Sequence, residues 1–222
     1  MQRNEIFRDT NSLYLGWDEY ASSELLEFGS RYSGKMVLDV GCSIGEYSRE
    51  MSVRGFNCVG VDYNPKYIEK AKAKGVEAYV MDACHLDFKD KSFDSILMFE
   101  ILEHLGDPLS ALQEAGRVAK KSIMLTVPNF SKFHELNNCK LTYGDVLEED
   151  HVNFFTKEEL KALLNKISKH NIVMEREPIY MHRLLPWYIR KPISLLYNLK
   201  LLKPSLYRRF YAVIWLEEST TK

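Results

Sequence analysis

Two groups of residues have types and spacings that could do chemistry. The first runs Asp39-Val40-Gly41-Cys42-Ser43-Ile44-Gly45 and is completed by Asp62, 23 residues after Asp39, at the end of the apolar run NCVGVD. A hydrophobic strand that breaks into a glycine turn and opens a helix places N–H groups and a helix N-terminus at the carboxyl end of a parallel strand. Open α/β sheets bind nucleotides there. An acid ending the next strand is placed to accept hydrogen bonds from ribose hydroxyls. Together these residues, with Tyr63 beside the acid, predict a site for an adenosine-like cofactor. Cys42 lines the turn, where packing is its expected role.

The second group is Glu100-Ile101-Leu102-Glu103-His104. On a helical turn, positions i, i+3 and i+4 share one face. Two carboxylates and an imidazole so arranged could ligate a divalent ion, with His151 as a fourth ligand from the loop after the fifth strand. His104 and His151 have two further readings: a general base with an ordinary imidazole pKa, or a structural histidine bonded to nearby backbone. Glu100, His104 and His151 are therefore the candidate catalytic residues.

The spacing of the first group selects the cofactor. A dinucleotide fingerprint, G-x-G-x-x-G, needs glycines where this chain has Ser43 and Glu46. A carboxylate in the first helical turn would repel a pyrophosphate. A cofactor without phosphates meets no such conflict. The run MVLDVGCSIGEYS resembles motif I of the class I S-adenosylmethionine-dependent methyltransferases, D-x-G-x-G-x-G, with Ser43 at the middle glycine.

The resemblance extends over residues 35 to 180. MDACHLDF, from Met81, is similar to the family's segment after the third strand. FDSILMFEILEHLGDP, from Phe93, resembles the fourth strand and its turn. TVPN, from Thr126, fits the end of strand five, and DHVNFFTKEEL, from Asp150, matches a segment common in one large branch. The resemblance implies an α/β fold: a doubly wound, seven-stranded, mostly parallel, Rossmann-like sheet with an N-terminal helical lead-in and an insert before the last strand. It also implies S-adenosyl-L-methionine as cofactor. Gly41 and Gly45 would admit the methionine part, Asp62 the ribose, and Asp82 and Ala83 the adenine, with Tyr20 covering the cofactor. E-x-x-E-H also marks ubiquinone-pathway O-methyltransferases and small-RNA 3′-end 2′-O-methyltransferases, where it is associated with a metal beside the acceptor oxygen. It is equally widespread in relatives with no known metal. The RNA group's His- and Trp-rich segment is missing from DHVNFFTKEEL, so nucleic acid is not the expected partner.

These residues need elements to position them. Strands are expected near 36–40, 57–62, 77–81, 93–99 and 122–127, with helices near 45–54, 65–74 and 107–119 between them. Residues 12 to 34 read as a helical lead-in with apolar positions at Leu13, Trp17, Tyr20, Leu25 and Phe28. Thr156 and Glu159 form a capping box opening a helix to about Lys169. A strand from Asn171 to about Ile179 and a last strand from Phe210 complete an alternation that implies a parallel doubly wound sheet.

Bulk composition bounds the class. At 222 residues, 27% charged and 45% hydrophobic, the chain suits one soluble globular domain. No apolar run approaches the ~20 residues of a membrane span. The start MQRNEIFRDTN does not read as a signal peptide, and Cys42, Cys58, Cys84 and Cys139 form no C-x-x-C pair. A cytoplasmic protein with reduced thiols is expected. The expected division is a lead-in to 34, a cofactor-binding core over 35–179, a basic-hydrophobic insert or lid over 180–208 and the last strand over 209–216. Pro178 to Leu216 holds seven Lys or Arg and no acid, leaving the rest of the chain at a net charge of −8. This segment packs its apolar side on the sheet, meets a lipid or membrane surface, or meets a polyanion such as RNA.

The sequence thus predicts methyl transfer to an oxygen or nitrogen of a small molecule, lipid- or quinone-like in its main variant. Its rivals are a non-catalytic S-adenosylmethionine-binding protein acting through a partner, an RNA 2′-O-methyltransferase and a nicotinamide oxidoreductase, the last opposed by Ser43 and Glu46. The acceptor pocket and the oligomeric state have no readable code in the loops.

Overall fold

Strand β1 (Met36–Val40) is almost wholly buried, a pattern that requires cover on both faces. The computed structural model, which describes residues 21–131, 151–178, 186–204 and 206–216, supplies it. Seven strands form one sheet in the order β3-β2-β1-β4-β5-β7-β6. The others are β2 (Asn57–Asp62), β3 (Glu77–Val80), β4 (Phe93–Phe99), β5 (Ala119–Pro128), β6 (Asn171–Pro178) and β7 (Tyr207–Trp215). β1 to β5 pair in parallel, and β7 runs antiparallel to both its neighbours. The expected doubly wound, seven-stranded, mostly parallel sheet is what the chain forms.

Alternate residues of each central strand feed two cores. Leu38, Val40, Ile96, Met98, Ile123, Leu125, Phe210 and Ala212 face one side, which is closed by α4 (Pro108–Val118) and α5 (Lys157–Leu164). Val37, Leu97, Phe99, Met124, Tyr211 and Val213 face the other. There α1 (Ser23–Tyr32) and α2 (Glu46–Val53) bury Leu25, Leu26, Phe28 and Met51. Helix α3 (Pro65–Ala73) packs Ile68 and Ala71 with Cys42, Val76 and Ala78. Within the sheet, the Ser95 and Ser122 hydroxyls pair at 2.8 Å, and Ser122 Oγ donates to the Tyr32 carbonyl. The Gly34 N–H donates to Ser95 Oγ at 2.9 Å, so the entry to β1 is tied to two inner strands.

Three boundaries differ from the sequence reading. β5 begins at Ala119, because its ladder with β4 reaches back to Phe93. α5 stops at Leu164 rather than Lys169, where Asn171 Nδ2 donates to Ser168 O and Asn165 Oδ1. Such local side-chain bonds compete with helix propagation. β7 begins at Tyr207, paired to Pro178. The Thr156–Glu159 capping box is present, and residues 1–20 of the lead-in, Tyr20 among them, lie outside the described residues.

Within the insert, Trp187–Asn198 form α6, in which no residue is fully buried. Among the described residues, no helix is long and apolar enough to cross a membrane.

Asp39 ties β1 to α2: its Oδ2 accepts from Ser48 Oγ at 2.7 Å, with both residues buried. Burial raises the Asp39 carboxyl to about 6, with the Ser48 hydrogen bond opposing and Asp62 adding to the rise. A carboxyl raised above its unfolded value of 3.8 keeps its proton longer in the folded protein, so stability falls as pH rises from about 4 to 6. Asp39→Asn keeps an acceptor for Ser48 and removes the titration. Its stability relative to wild type should therefore be about 1–3 kcal/mol more favourable at pH 8 than at pH 4 in urea melts of ligand-free protein. An equal difference at both pH values would show that Asp39 ionises as freely folded as unfolded.

Candidate active site

The strand order reverses between β1 and β4, the switch point where open α/β sheets place ligands. Two turns meet there. The first follows β1, with φ +78° at Gly41, +48° at Ser43 and +80° at Gly45. The second follows β4, where Glu100 has φ +52° and Leu102–His104 form one 3₁₀ turn. A side chain at Gly41 would be strained at its φ of +78°, and its Cβ would lie 2.5 Å from Ile101 Cδ1, so Ile101 would have to move. At Gly45 the obstacle would be Ala71 Cβ, at 2.9 Å.

Four N–H groups of the first turn are spent internally. Gly41 N and Cys42 N donate to Val61 O at 2.8 and 3.0 Å, and Gly45 N to Cys42 O at 2.8 Å. Ser43 N donates to Asp62 Oδ2 at 2.9 Å, while Asn64 N donates to Asp62 Oδ1 at 2.8 Å. The sequence reading offered these donors to a ligand; the fold instead uses four of them to hold the turn and Asp62. Glu46 also differs, since ion pairs to Lys74 and Arg49 offset its charge. The committed N–H groups argue against a pyrophosphate more strongly than Glu46 does.

Asp62 is partly buried, and burial raises its carboxyl while the Asn64 and Ser43 N–H groups oppose the rise. Each oxygen takes one backbone hydrogen bond and keeps a second lone pair for a hydroxyl donor. Tyr63, beside it, is 62% exposed at the rim. Asp39 is 3% exposed beneath the turn and touches Ser48, so it supports the site from below. Cys42 is packed among α3 residues, and burial pushes its thiol up, away from reactivity.

The β3–β4 connection brings Asp82 and Ala83 alongside. Met81 N donates to the Asp62 carbonyl at 3.0 Å, and Asp82 Oδ1 accepts from Cys84 N at 2.8 Å. Ala83 is buried and Asp82 exposed. Arg117 of α4 clamps this connection, donating to the Leu86 and Phe88 carbonyls at 2.7 Å each and to Asp90 at 2.8 Å. Glu114 accepts from Leu86 N and Arg117, which holds its carboxyl down at about 2.

The second turn divides the expected four-residue ligand set. Glu103, His104 and His151 bring one ligand atom each to within 4.8 Å of one another. The two imidazole rings meet edge-on at 4.7 Å. Glu100 is not in that group. Its left-handed backbone ends the strand before the helical turn begins, so it shares no helical face with Glu103. Its Oε2 instead accepts from Arg209 Nε at 2.7 Å.

Sequence reasoning missed three residues here. Arg209, counted there as a surface cation, is only 14% exposed in its side chain and also donates to both Glu177 oxygens. Burial opposes its charge, and the Glu100 and Glu177 carboxylates more than offset that. Tyr211 Oη donates to Glu177 at 2.9 Å. Asn153 is the third: its Nδ2 donates to the Leu102 and Leu105 carbonyls, while Val152 N and Asn153 N donate to Glu103 O. The segment HVNFF is thereby laced to EILEH, which places His151 against His104. The Asn two residues after His151 was the available signal.

A family described as "Methyltransferase domain" matches residues 14–167. The chain belongs to this methyltransferase-domain family. Among curated relatives it is similar to the ubiquinone biosynthesis O-methyltransferase of Hahella chejuensis, 37% identical over 39% of this chain and 40% of the relative. It is also similar to that of Bordetella parapertussis, 32% identical over 50% of this chain and 46% of the relative. The chain spans less than half the length of these relatives. Its fold matches a SAM-dependent methyltransferase from Archaeoglobus fulgidus with a TM-score of 0.65 at 21% identity, covering 88% of this chain and 95% of that one.

Asp62→Ala should weaken binding of S-adenosylhomocysteine by about 1.5–3 kcal/mol, roughly 10- to 150-fold, as expected for a hydrogen bond to a charged group. Calorimetric titration checks this, with a melting curve confirming that the variant is folded. An unchanged dissociation constant would mean that Asp62 does not hold the ribose.

Proposed function

We propose that this methyltransferase-family chain transfers a methyl group from S-adenosylmethionine to an oxygen or nitrogen of a small-molecule acceptor of lipid- or quinone-like character. The observation that carries the cofactor is the turn after β1. Four of its N–H groups are bonded internally, and Asp62 is held with lone pairs free for hydroxyls. Such a site suits an adenosine cofactor without phosphates. The O-methyltransferase relatives support an oxygen acceptor, and the exposed apolar face of α6 supports a lipid-like one.

The cofactor supplies a methyl carbon on an excellent sulfonium leaving group. The protein's part is alignment and proton removal. Gly41 and Gly45 give backbone room, Asp62 fixes the ribose, and the Asp82–Ala83 connection flanks the adenine. His104 takes the proton of the acceptor O–H or N–H as the new O–C or N–C bond forms. Glu103 and His151 orient it, and the Asn153 hydrogen bonds hold His151 in place. Glu100, fixed by Arg209 and Glu177, lines the same opening. In a second reading, favoured by the convergence of ligand atoms within 4.8 Å, Glu103, His104 and His151 hold a divalent ion. A bound ion would make the acceptor oxygen more acidic.

Incubation with methyl-labelled cofactor and cell extract fractionated into small molecules, lipids, RNA and protein tests this function. Label should enter the small-molecule or lipid fraction. His104→Ala should lower turnover by about 10²–10⁴-fold, the usual worth of a general base, while S-adenosylhomocysteine affinity stays within about twofold. Loss of activity on chelation, restored by a divalent ion, would select the metal reading. Label in RNA alone, or none anywhere despite cofactor binding, would overturn the proposed acceptor class.

A further inference from the structure

The helix α6 exposes a face that a water-facing helix has no reason to carry. At 3.6 residues per turn, Tyr188, Ile189, Pro192, Ile193, Leu195, Leu196 and Leu199 share an arc of roughly 160°. Arg190, Lys191, Ser194 and Asn198 occupy the opposite side, together with Trp187 and Tyr197. Tyr188 is 61% exposed, Leu195 56% and Leu199 58%, against 0% for Leu160 on the packed helix α5. Single exposed apolar side chains are ordinary, but a continuous apolar arc marks an interaction surface.

The helix end extends this surface. Lys200 takes φ +60°, and its N–H donates to Tyr197 O while Leu201 N donates to Leu196 O, a Schellman closure. That turn presents Leu201, 68% exposed, and Leu202 beside the helix, with Lys203 following. Trp187 is 64% exposed at the helix start, with Lys191 Nζ 5.5 Å from its ring centroid.

Local propensity does little to hold this helix in water. It has 12 residues, no side-chain N-cap, no acid in its first turn and Pro192 in its interior. A helix of this length is marginal without packing on its apolar face. Its length is also well short of the ~20 residues needed to span a bilayer, so in contact with lipid it would lie in the interface.

We infer that α6 and the turn after it dock the protein in the plane of an anionic phospholipid bilayer. Tyr188, Leu195, Leu199 and Leu201 enter the acyl boundary, and Arg190, Lys191, Lys200 and Lys203 meet the headgroups. Charge complementarity selects this occupant. Pro178–Leu216 has seven cations and no acid, whereas the rest of the chain, at −8, is repelled by the same surface. Attraction therefore acts through this segment and orients the docked protein. A nucleic acid would use the cations but leave the apolar arc unexplained. A second copy of the chain would bury the arc but bring like charges together. The inference rests on the lipid-like acceptor reading only for its purpose, since docking would deliver the protein to a membrane-dissolved substrate.

Flotation of the full chain with vesicles of phosphatidylcholine alone and of equal phosphatidylcholine and phosphatidylglycerol tests the docking, at low salt and in 0.5 M salt. The protein should float with the anionic vesicles at low salt and be released by salt. Changing Arg190, Lys191, Lys200 and Lys203 to Glu should lower partitioning at least about tenfold. Changing Tyr188, Leu195 and Leu199 to Ser should lower it similarly at unchanged charge. Both multiple variants should keep S-adenosylhomocysteine binding, which shows that they fold. Wild type remaining in solution with anionic vesicles, or the Glu variant floating equally well, overturns the inference. So does a concentration-dependent dimer that buries Trp187 and excludes vesicles. Methyl transfer to a detergent-dispersed acceptor without flotation removes the docking alone; flotation without any methyl transfer removes the proposed function alone.

Discussion

The approach of Gly41 to Ile101 is the constraint on which the site depends. β1 and β4 are parallel neighbours, so their following connections leave the sheet side by side. At φ +78° a side chain at position 41 would be strained, and its Cβ would have to displace Ile101. With glycine there, the turn proposed to face the cofactor and the turn proposed to face the acceptor share one van der Waals boundary. A methyl group passing between two bound molecules needs that proximity, because displacement at carbon requires nucleophile and leaving group in line within a few ångströms.

Support for each turn comes from the side away from the ligand. Beneath the first, Asp39 and Ser48 join β1 to α2. Beneath the second, Arg209 bridges Glu100 and Glu177, two carboxylates on residues with positive φ. Left-handed backbone at a non-glycine residue persists only where the surroundings over-determine it. The Arg209 ion pairs supply that for both glutamates, so the antiparallel strand β7 helps to fix the end of β4. Burying a cation is costly without partners. Here it has two, Glu100 at Nε and Glu177 at Nη1, which explains why an arginine is tolerated at this depth.

Local features of this fold were legible wherever one strand or turn decides them. The runs MVLDV, NCVGVD and FDSILMF give their strand limits directly, because each is bounded by turn residues and buried on both faces. Gly41, Gly45 and Asp62 were legible because their backbone demands are local. Long-range features were not. Arg209 looks like its exposed neighbours in a basic segment, and only the β5–β7 pairing carries it to Glu100. Glu100 looked like part of a helical metal face, and only its positive φ turns it away. The role of Asn153 depends on a loop returning to a turn about 50 residues earlier in the chain. For α6 the sequence allowed a packed helix or one that meets a lipid surface or a polyanion, and the exposure of its apolar arc depends on long-range contacts that no local pattern specifies.

The central claim is that the turn after β1, with four N–H groups committed internally and Asp62 held for a ribose, takes a phosphate-free adenosine cofactor. Parallel calorimetric titrations of the purified chain with S-adenosylhomocysteine and with NAD test it most directly. The account predicts saturable binding of S-adenosylhomocysteine and no heat of binding from NAD at the same concentrations. Tighter binding of NAD would contradict it, since a pyrophosphate would then be held despite the four N–H groups that the turn commits internally.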